Sequence, residues 1–225
     1  SFASGLAQDQ KLFGVTLGGG DTVRTMGPLS ISITALGEIR QGTMVRRNGA
    51  ASGDDVWVTG TIGDAGLGLR LAIAPAGLVA AADRKYLLQR YRVPEPRVSF
   101  GLGLARLASA AVDVSDGLVA DAGHVARQSG LALTLALDAI PTSAAAQRAL
   151  AAGLAHLQDL VVAGDDYEIL FTAPVANRRR IEALAAKCGI RLSRIGSCQK
   201  GPAEVFVLHE DGEPLQFAQT GFTHF

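Results

Sequence analysis

Asp113-Val-Ser-Asp116-Gly117-Leu-Val-Ala-Asp121 places three carboxylates at a predicted junction between a strand and a helix. The apolar run that ends at Val114 favours a strand, and residues 116–129 have the pattern of a helix that ends at Gly130. Ligands of open sheets usually bind at edges of this kind. No basic residue lies within this stretch to neutralise the acids, so it predicts a site for cations.

Helix capping is the alternative interpretation of the same residues. Ser115 or Asp116 would be a good N-cap, and acids are favourable near the N-terminus of a helix. Two more acidic turns favour a functional site instead. Gly164-Asp-Asp-Tyr-Glu168 precedes a predicted strand at residues 169–173, and Gly18-Gly-Gly-Asp21 follows an apolar run. Three such turns beside strands are difficult to explain as independent caps.

The composition is that of a globular protein. The 225 residues are 48% hydrophobic and 19% charged, which is enough for one large or two small cores. Lysine plus arginine and aspartate plus glutamate number 21 each, so no overall field would recruit nucleic acid or an anionic membrane. No apolar run approaches the roughly 20 residues that cross a bilayer, and no secretion signal is recognisable. The expectation is a soluble, cytoplasmic protein.

Cysteine and histidine are too sparse for a zinc site. Cys188 and Cys198 flank a predicted strand at residues 190–195 and are expected to be buried thiols. The four histidines show no metal-binding spacing. Metal chemistry would therefore use oxygen ligands, which suit Mg²⁺, Mn²⁺ or Ca²⁺.

Alternating strand-like and helical patterns predict an α/β (α+β) protein. The segment Tyr91-Arg-Val-Pro-Glu-Pro96 is the best candidate for a boundary, which gives predicted domains at residues 1–94 and 95–225. Other strands are predicted at residues 15–17, 29–38, 56–59 and 131–137. Helices are predicted at residues 1–13, 60–74, 81–91, 97–107 and 177–187, with one more starting at Pro141 and a hairpin around Asp211-Gly212.

Six motifs in order resemble the thiamine-monophosphate kinases, which share a superfamily with aminoimidazole-ribonucleotide synthetase. They are Gly19-Gly20-Asp21-Thr22, Arg47-x-Gly49-Ala50, Val58-Thr-Gly60-Thr-Ile-Gly63-Asp64, Asp113-x-Ser115-Asp116-Gly117-Leu118, Gly164-x-Asp166-Tyr167-Glu168 and Gly221-Phe222-Thr-His224-Phe225. The resemblance implies the two-domain aminoimidazole-ribonucleotide synthetase-like fold, with an incomplete N-terminal domain that binds ATP and Mg²⁺, and a homodimer.

The resemblance also implies an activity, the transfer of the γ-phosphoryl group of ATP to thiamine monophosphate. The acids suit this reaction, because two anionic phosphates need cations between them. The Mg²⁺ ligands implied are Asp21, Asp113 and Asp116. The residues implied to contact ATP are Gly20, Asp21, Arg47 and Ser115, and those implied to contact the thiamine substrate are Asp165 and Phe222. Asp165 stands where glutamate is more common in the family, and Phe222 stands where tyrosine is frequent.

Family members carry about a hundred further residues before the point where this chain starts, about the size of a subdomain. The sequence is therefore expected to be a fragment, which would be inactive alone. Two alternatives remain: another ATP-using member of the superfamily, and a non-catalytic module that binds Mg-nucleotide. The role of Asp121 also stays open between metal ligand and solvent-facing residue.

Overall fold

The computed structural model describes residues 1–73 and 77–222, and the chain divides into two compact units, residues 1–41 and 42–225. The first unit contains one helix, α1 (Phe2–Phe13). Ser1 caps its start by accepting a hydrogen bond from the Ser4 amide, and Gly14 ends it in the left-handed conformation with φ 65°. The predicted helix is confirmed, and the predicted domain boundary at residues 94/95 stays a prediction.

The strands predicted at residues 15–17 and 29–38 are wrong, because neither segment is a strand in the structure. A strand needs a neighbour to satisfy its amide and carbonyl groups, and alternation in sequence cannot supply one. Among the described residues, no strand pairs with either segment. Most of their large apolar side chains are exposed.

The second unit contains a six-stranded sheet in the order β2-β4-β1-β5-β3-β6. All neighbours are antiparallel except β3 and β6, which are parallel. The strands are β1 (Asp55–Thr59), β2 (Ala110–Asp113), β3 (Ala132–Ala136), β4 (Ile169–Ala173), β5 (Leu192–Gln199) and β6 (Val205–Leu208). The helices are α2 (Asp64–Ile73), α3 (Ala81–Arg92), α4 (Val98–Gly103), α5 (Leu118–Ser129), α6 (Ala144–Ala151), α7 (Leu157–Leu160) and α8 (Arg178–Cys188).

Helices cover both faces of this sheet. Along β1, Val56 and Val58 join a core that contains α5, while Trp57 points into a second core that contains α4 and α8. Trp57 stacks there on Phe171 of β4, with ring centroids 6.3 Å apart. A central strand with both faces buried has no polar side to show to water, which is why all five residues of β1 are buried. The α/β (α+β) prediction is confirmed.

Several predicted boundaries move. Helix α4 ends at Gly103 rather than at 107, and α6 starts after Ser143, whose hydroxyl caps it, rather than at Pro141. The hairpin is reduced to a single bridge between Leu208 and Pro214. Cys198 lies within β5 and is buried, and Cys188 is half-buried. Within the described ranges, each helix is too short or too polar to span a membrane.

Candidate functional site

The acidic junction forms at the end of β2, as predicted, but its residues do not cap the following helix. Gly117, with φ 121°, takes the N-cap position of α5, and no side chain caps there. The capping interpretation of Ser115 and Asp116 is therefore wrong. Gly130 ends α5 in the left-handed conformation, as expected.

Asp121 holds the backbone of this junction in place. Its side chain is buried, and one carboxylate oxygen, Oδ2, accepts hydrogen bonds from the backbone amides of Ser115 (2.9 Å) and Asp116 (3.1 Å). Burial raises the pKa of Asp121, the two hydrogen bonds oppose this, and the nearby charges of Asp116 and Asp113 raise it further. The alternative of a solvent-facing Asp121 is wrong.

The second acidic turn lies directly against the first. The amide of Asp165 donates to the carbonyl of Ser115 at 2.9 Å, and the amide of Tyr167 donates to that of Val114 at 2.8 Å. Gly164 makes the approach possible, since a Cβ there would lie 2.3 Å from the Ser115 oxygen. The turns at residues 113–117 and 164–168 therefore form one structure, although some fifty residues separate them.

Two acids of the second turn are structural. Asp166 accepts hydrogen bonds from the amides of Gly63 (2.6 Å) and Ala65 (3.1 Å), at the start of α2. Burial is the largest cause that raises the pKa of Asp166, to about 7. Its carboxylate therefore fixes α2 against the turn.

Glu168 is fully buried and holds two helices to β4. Both of its oxygens bind the guanidinium of Arg97, at 2.6 and 2.8 Å, and Oε1 also accepts from Arg90 at 2.9 Å. Thr59 of β1 donates to Oε2 at 2.7 Å. Nothing in the spacing of these residues signals this cluster in the sequence, because its members come from four separate elements.

Arg47 and Asp113 lie together, with 4.0 Å between a guanidinium nitrogen and a carboxylate oxygen. Both side chains are about half exposed, so each remains accessible to a ligand. The turn that carries Arg47 is tied to the end of α5, because Ser129 donates to the Arg47 carbonyl at 3.2 Å. Gly49 allows the turn to lie against the sheet, since a Cβ there would be 2.0 Å from the Ser109 carbonyl oxygen.

A cavity of about 540 Å³ opens beside the joined turns. The predicted residues Ser115, Asp116, Asp165 and Phe222 all line it. The amide of Phe222 donates to the Asp116 carbonyl at 2.9 Å, which brings the C-terminal tail against the junction. Other members of the terminal motif, residues 223–225, lie outside the described residues.

One group of possible metal ligands includes a residue that the sequence did not single out. Asp116, Asp121 and His124 each offer a ligand atom, and these atoms lie within 4.8 Å of one another. His124 is also 3.2 Å from a guanidinium nitrogen of Arg127, and this cation weakens the case for a metal at that nitrogen. His124 lies one helical turn after Asp121 in α5, and this spacing is the feature of the sequence that could have indicated the group.

Gly20 and Asp21 belong to the first unit. They lie in a segment without regular secondary structure, where the Thr22 amide donates to the Asp21 carboxylate at 2.7 Å. Of the predicted site residues, the structure therefore brings together Arg47, Asp113, Ser115, Asp116, Asp165 and Phe222 within the second unit.

Comparisons with known proteins agree with the motifs. Residues 51–209 match the family model described as AIR synthase related protein, C-terminal domain. All of the chain aligns with a thiamine-monophosphate kinase of Salmonella typhimurium at 36% identity, covering 68% of that protein. The chain belongs to the thiamine-monophosphate kinase family. A second such kinase, from Caulobacter vibrioides, is 43% identical over the whole chain.

The structural comparison extends this relation to a ligand complex of the thiamine-monophosphate kinase family. AaThiL complexed with AMPPCP and TMP has a TM-score of 0.66 and 32% identity, and the match covers 80% of this chain. The chain spans 63% of the length of the Caulobacter protein and 54% of the AaThiL chain. It therefore corresponds to between half and two thirds of these relatives.

Proposed function

We propose that the protein carrying this chain transfers the γ-phosphoryl group of ATP to thiamine monophosphate. An oxygen of the acceptor phosphate attacks the γ-phosphorus in line, the bond to the bridging oxygen of ADP breaks, and thiamine diphosphate and ADP leave. The observation that carries the proposal is the junction itself. Arg47 pairs with Asp113 at the end of β2, and the turn that follows Asp113 lines, through Ser115 and Asp116, the cavity that Asp165 and Phe222 also line.

Arg47 and Asp113 are proposed to bind ATP, the phosphoryl donor. The planar guanidinium of Arg47 suits a phosphate, while the carboxylate of Asp113 suits a cation bound to that phosphate. A cation site and an anion site 4.0 Å apart match the charge distribution of a metal-nucleotide complex. AMPPCP, which the related AaThiL structure contains, is an analogue of ATP.

The donor set fits Mg²⁺. Asp113 and Asp116 present carboxylates on one turn, and Mg²⁺ is usually held by one or two carboxylates plus substrate phosphates. Asp21, in the first unit, is also proposed as a Mg²⁺ ligand, and Gly20 beside it as a contact for ATP phosphates. When bound, Mg²⁺ would supply positive charge that offsets the repulsion between donor and acceptor phosphates.

The chain's own residues orient the reactants. Asp121 holds the Ser115 and Asp116 amides in place, so the turn is formed before a ligand arrives. Asp165 and Phe222 are proposed to bind the thiamine part, through a carboxylate and an aromatic face. Positioning and charge stabilisation are the main contributions that such a transfer needs from a protein. The enzyme is proposed to act in the cytoplasm as a homodimer.

Two measurements on the complete gene product test this function. Intact mass establishes the length of the chain under study, and a coupled assay follows thiamine diphosphate from thiamine monophosphate, ATP and Mg²⁺. We expect Mg²⁺-dependent product, with Asp113→Asn lowering kcat about 100-fold or more. The exposed Asp138→Asn is the matched control and should keep full activity.

Two other assay results would each favour a different function. Product with another anionic acceptor, and none with thiamine monophosphate, would favour a different ATP-using member of the superfamily. Binding of Mg-ATP without any product would favour a non-catalytic nucleotide-binding module.

A further inference from the structure

Tyr167 lies between two cavities, and the proposed function assigns no role to this residue. It lines the cavity of Asp165 and Phe222, and it also lines a second cavity of about 440 Å³ on the side of Asp113. The second cavity is mostly apolar and includes Pro94 and Pro96. Tyr167 therefore lies at the border between the proposed acceptor side and the proposed donor side.

The backbone holds Tyr167 in an unusual conformation. Its φ is 50° and that of Asp165 is 68°, both in the left-handed region that residues other than glycine seldom adopt. Such conformations persist where the surroundings enforce them, and they cluster at ligand sites. In this conformation the Tyr167 amide donates a hydrogen bond of 2.8 Å to the Val114 carbonyl.

The side chain is fixed to a carboxylate at the cavity. The phenol of Tyr167 lies 3.3 Å from the Asp165 carboxylate, to which it donates a hydrogen bond. Burial, followed by the charge of Asp165, raises the pKa of Tyr167, so the phenol stays protonated and remains a donor at neutral pH. The residue is 40% exposed, so a ligand can reach it.

The cavity has the character of a site for a flat cation. The charged residues that line it are Asp165, Asp116, which is already assigned to Mg²⁺, and Arg70, which lies 3.8 Å from Asp159 outside the cavity. Its aromatic lining residues are Tyr167 and Phe222. Aromatic faces attract cations, and the attraction strengthens when water is excluded.

We propose that Tyr167 determines substrate specificity by presenting its ring face to the positively charged thiazolium ring of the acceptor. This inference rests on the proposed function, because it takes thiamine monophosphate as the acceptor. The carboxylate of Asp165, oriented by the Tyr167 phenol, provides the second interaction with the same charge. The site thus selects a cationic heteroaromatic ring over a neutral ring of equal shape.

The test compares thiamine monophosphate with its thiophene analogue, in which carbon replaces the charged nitrogen. In the complete gene product we expect the KM of the neutral analogue to exceed that of the substrate by about tenfold, a preference typical of a desolvated cation–π contact. Tyr167→Leu should remove most of this preference. Tyr167→Phe, which keeps the ring, should retain most of it.

A purely structural role for Tyr167 would change both acceptors alike, so an unchanged ratio of their KM values in Tyr167→Leu overturns the inference. Equal KM values in the unmodified protein would overturn it without any variant. If Tyr167→Leu does not fold, a trifluorinated phenylalanine at position 167 keeps the shape and weakens the ring's attraction for cations, and the preference should fall accordingly. If the protein forms no thiamine diphosphate, the proposed function fails, and calorimetric binding of the two acceptors still decides the role of Tyr167.

Discussion

Replacing Asp121 tests whether the acidic junction depends on one buried carboxylate. Asp121→Ala removes the acceptor of two backbone hydrogen bonds, whereas Asp121→Asn keeps an oxygen and removes the charge. Both amides bind the same oxygen, Oδ2, so a single asparagine oxygen can replace it. The two variants therefore separate the effect of the acceptor from that of the charge.

The magnitude follows from the contacts. Hydrogen bonds to a charged acceptor contribute about 1.5–3 kcal/mol each, so losing two removes about 3–6 kcal/mol. Because burial and the neighbouring acids disfavour the charged form of Asp121 and raise its pKa, removing this carboxylate returns part of that loss. We expect Asp121→Ala to lower the free energy of unfolding by about 2–4 kcal/mol and Asp121→Asn by about 1 kcal/mol or less.

Urea unfolding followed by fluorescence measures this change. Trp57 is the single tryptophan, and it lies buried in the central strand of the second unit. Asp138→Ala, at an exposed position, is the control and should change the free energy of unfolding by less than about 0.5 kcal/mol. A loss below about 1 kcal/mol for Asp121→Ala, or equal losses for both Asp121 variants, would refute the reasoning.

Three other perturbations test the neighbouring structure. Glu168→Gln leaves the buried guanidinium of Arg90 and the partly buried guanidinium of Arg97 without their carboxylate and should cost about 3–5 kcal/mol by the same urea assay. A cost near that of the exposed Glu182→Gln would contradict the cluster. Asp166 has a pKa raised from 3.8 to about 7, so the folded state binds its proton more tightly and the contribution of Asp166 to stability falls as pH rises through that range. Unfolding at about pH 5 and about pH 8 should show this fall, and Asp166→Asn should flatten it; an equally steep fall in the variant would exclude Asp166 as its source. In Gly117→Ala the backbone would keep a φ of 121° and the new Cβ would lie 2.8 Å from the Val162 carbonyl, so the free energy of unfolding should fall by at least about 1–3 kcal/mol. Gly189→Ala, where φ is also positive but nothing lies within 4 Å, should cost less.

Local signals in the sequence were sufficient for most of the second unit. The apolar runs and terminal glycines predicted β1, β4, α3 and α5, because these features act within a few residues. The same signals failed at residues 15–17 and 29–38, where alternation favours a strand but pairing decides it. Strand order was also beyond local reasoning, since β1 pairs with β4 and β5, more than a hundred residues later.

For the candidate site, too, local sequence and tertiary structure determined different properties. The sequence by itself determined which residues can hold phosphates and cations, because carboxylates, glycines and arginine carry that chemistry wherever they lie. Only the tertiary structure decided which acids remain available. It buries Asp121, Asp166 and Glu168 against amides and guanidinium groups, and it leaves Asp113 about half exposed beside Arg47. The physical reason is that a carboxylate's role depends on its partners and its distance from water, and both depend on contacts between distant parts of the chain.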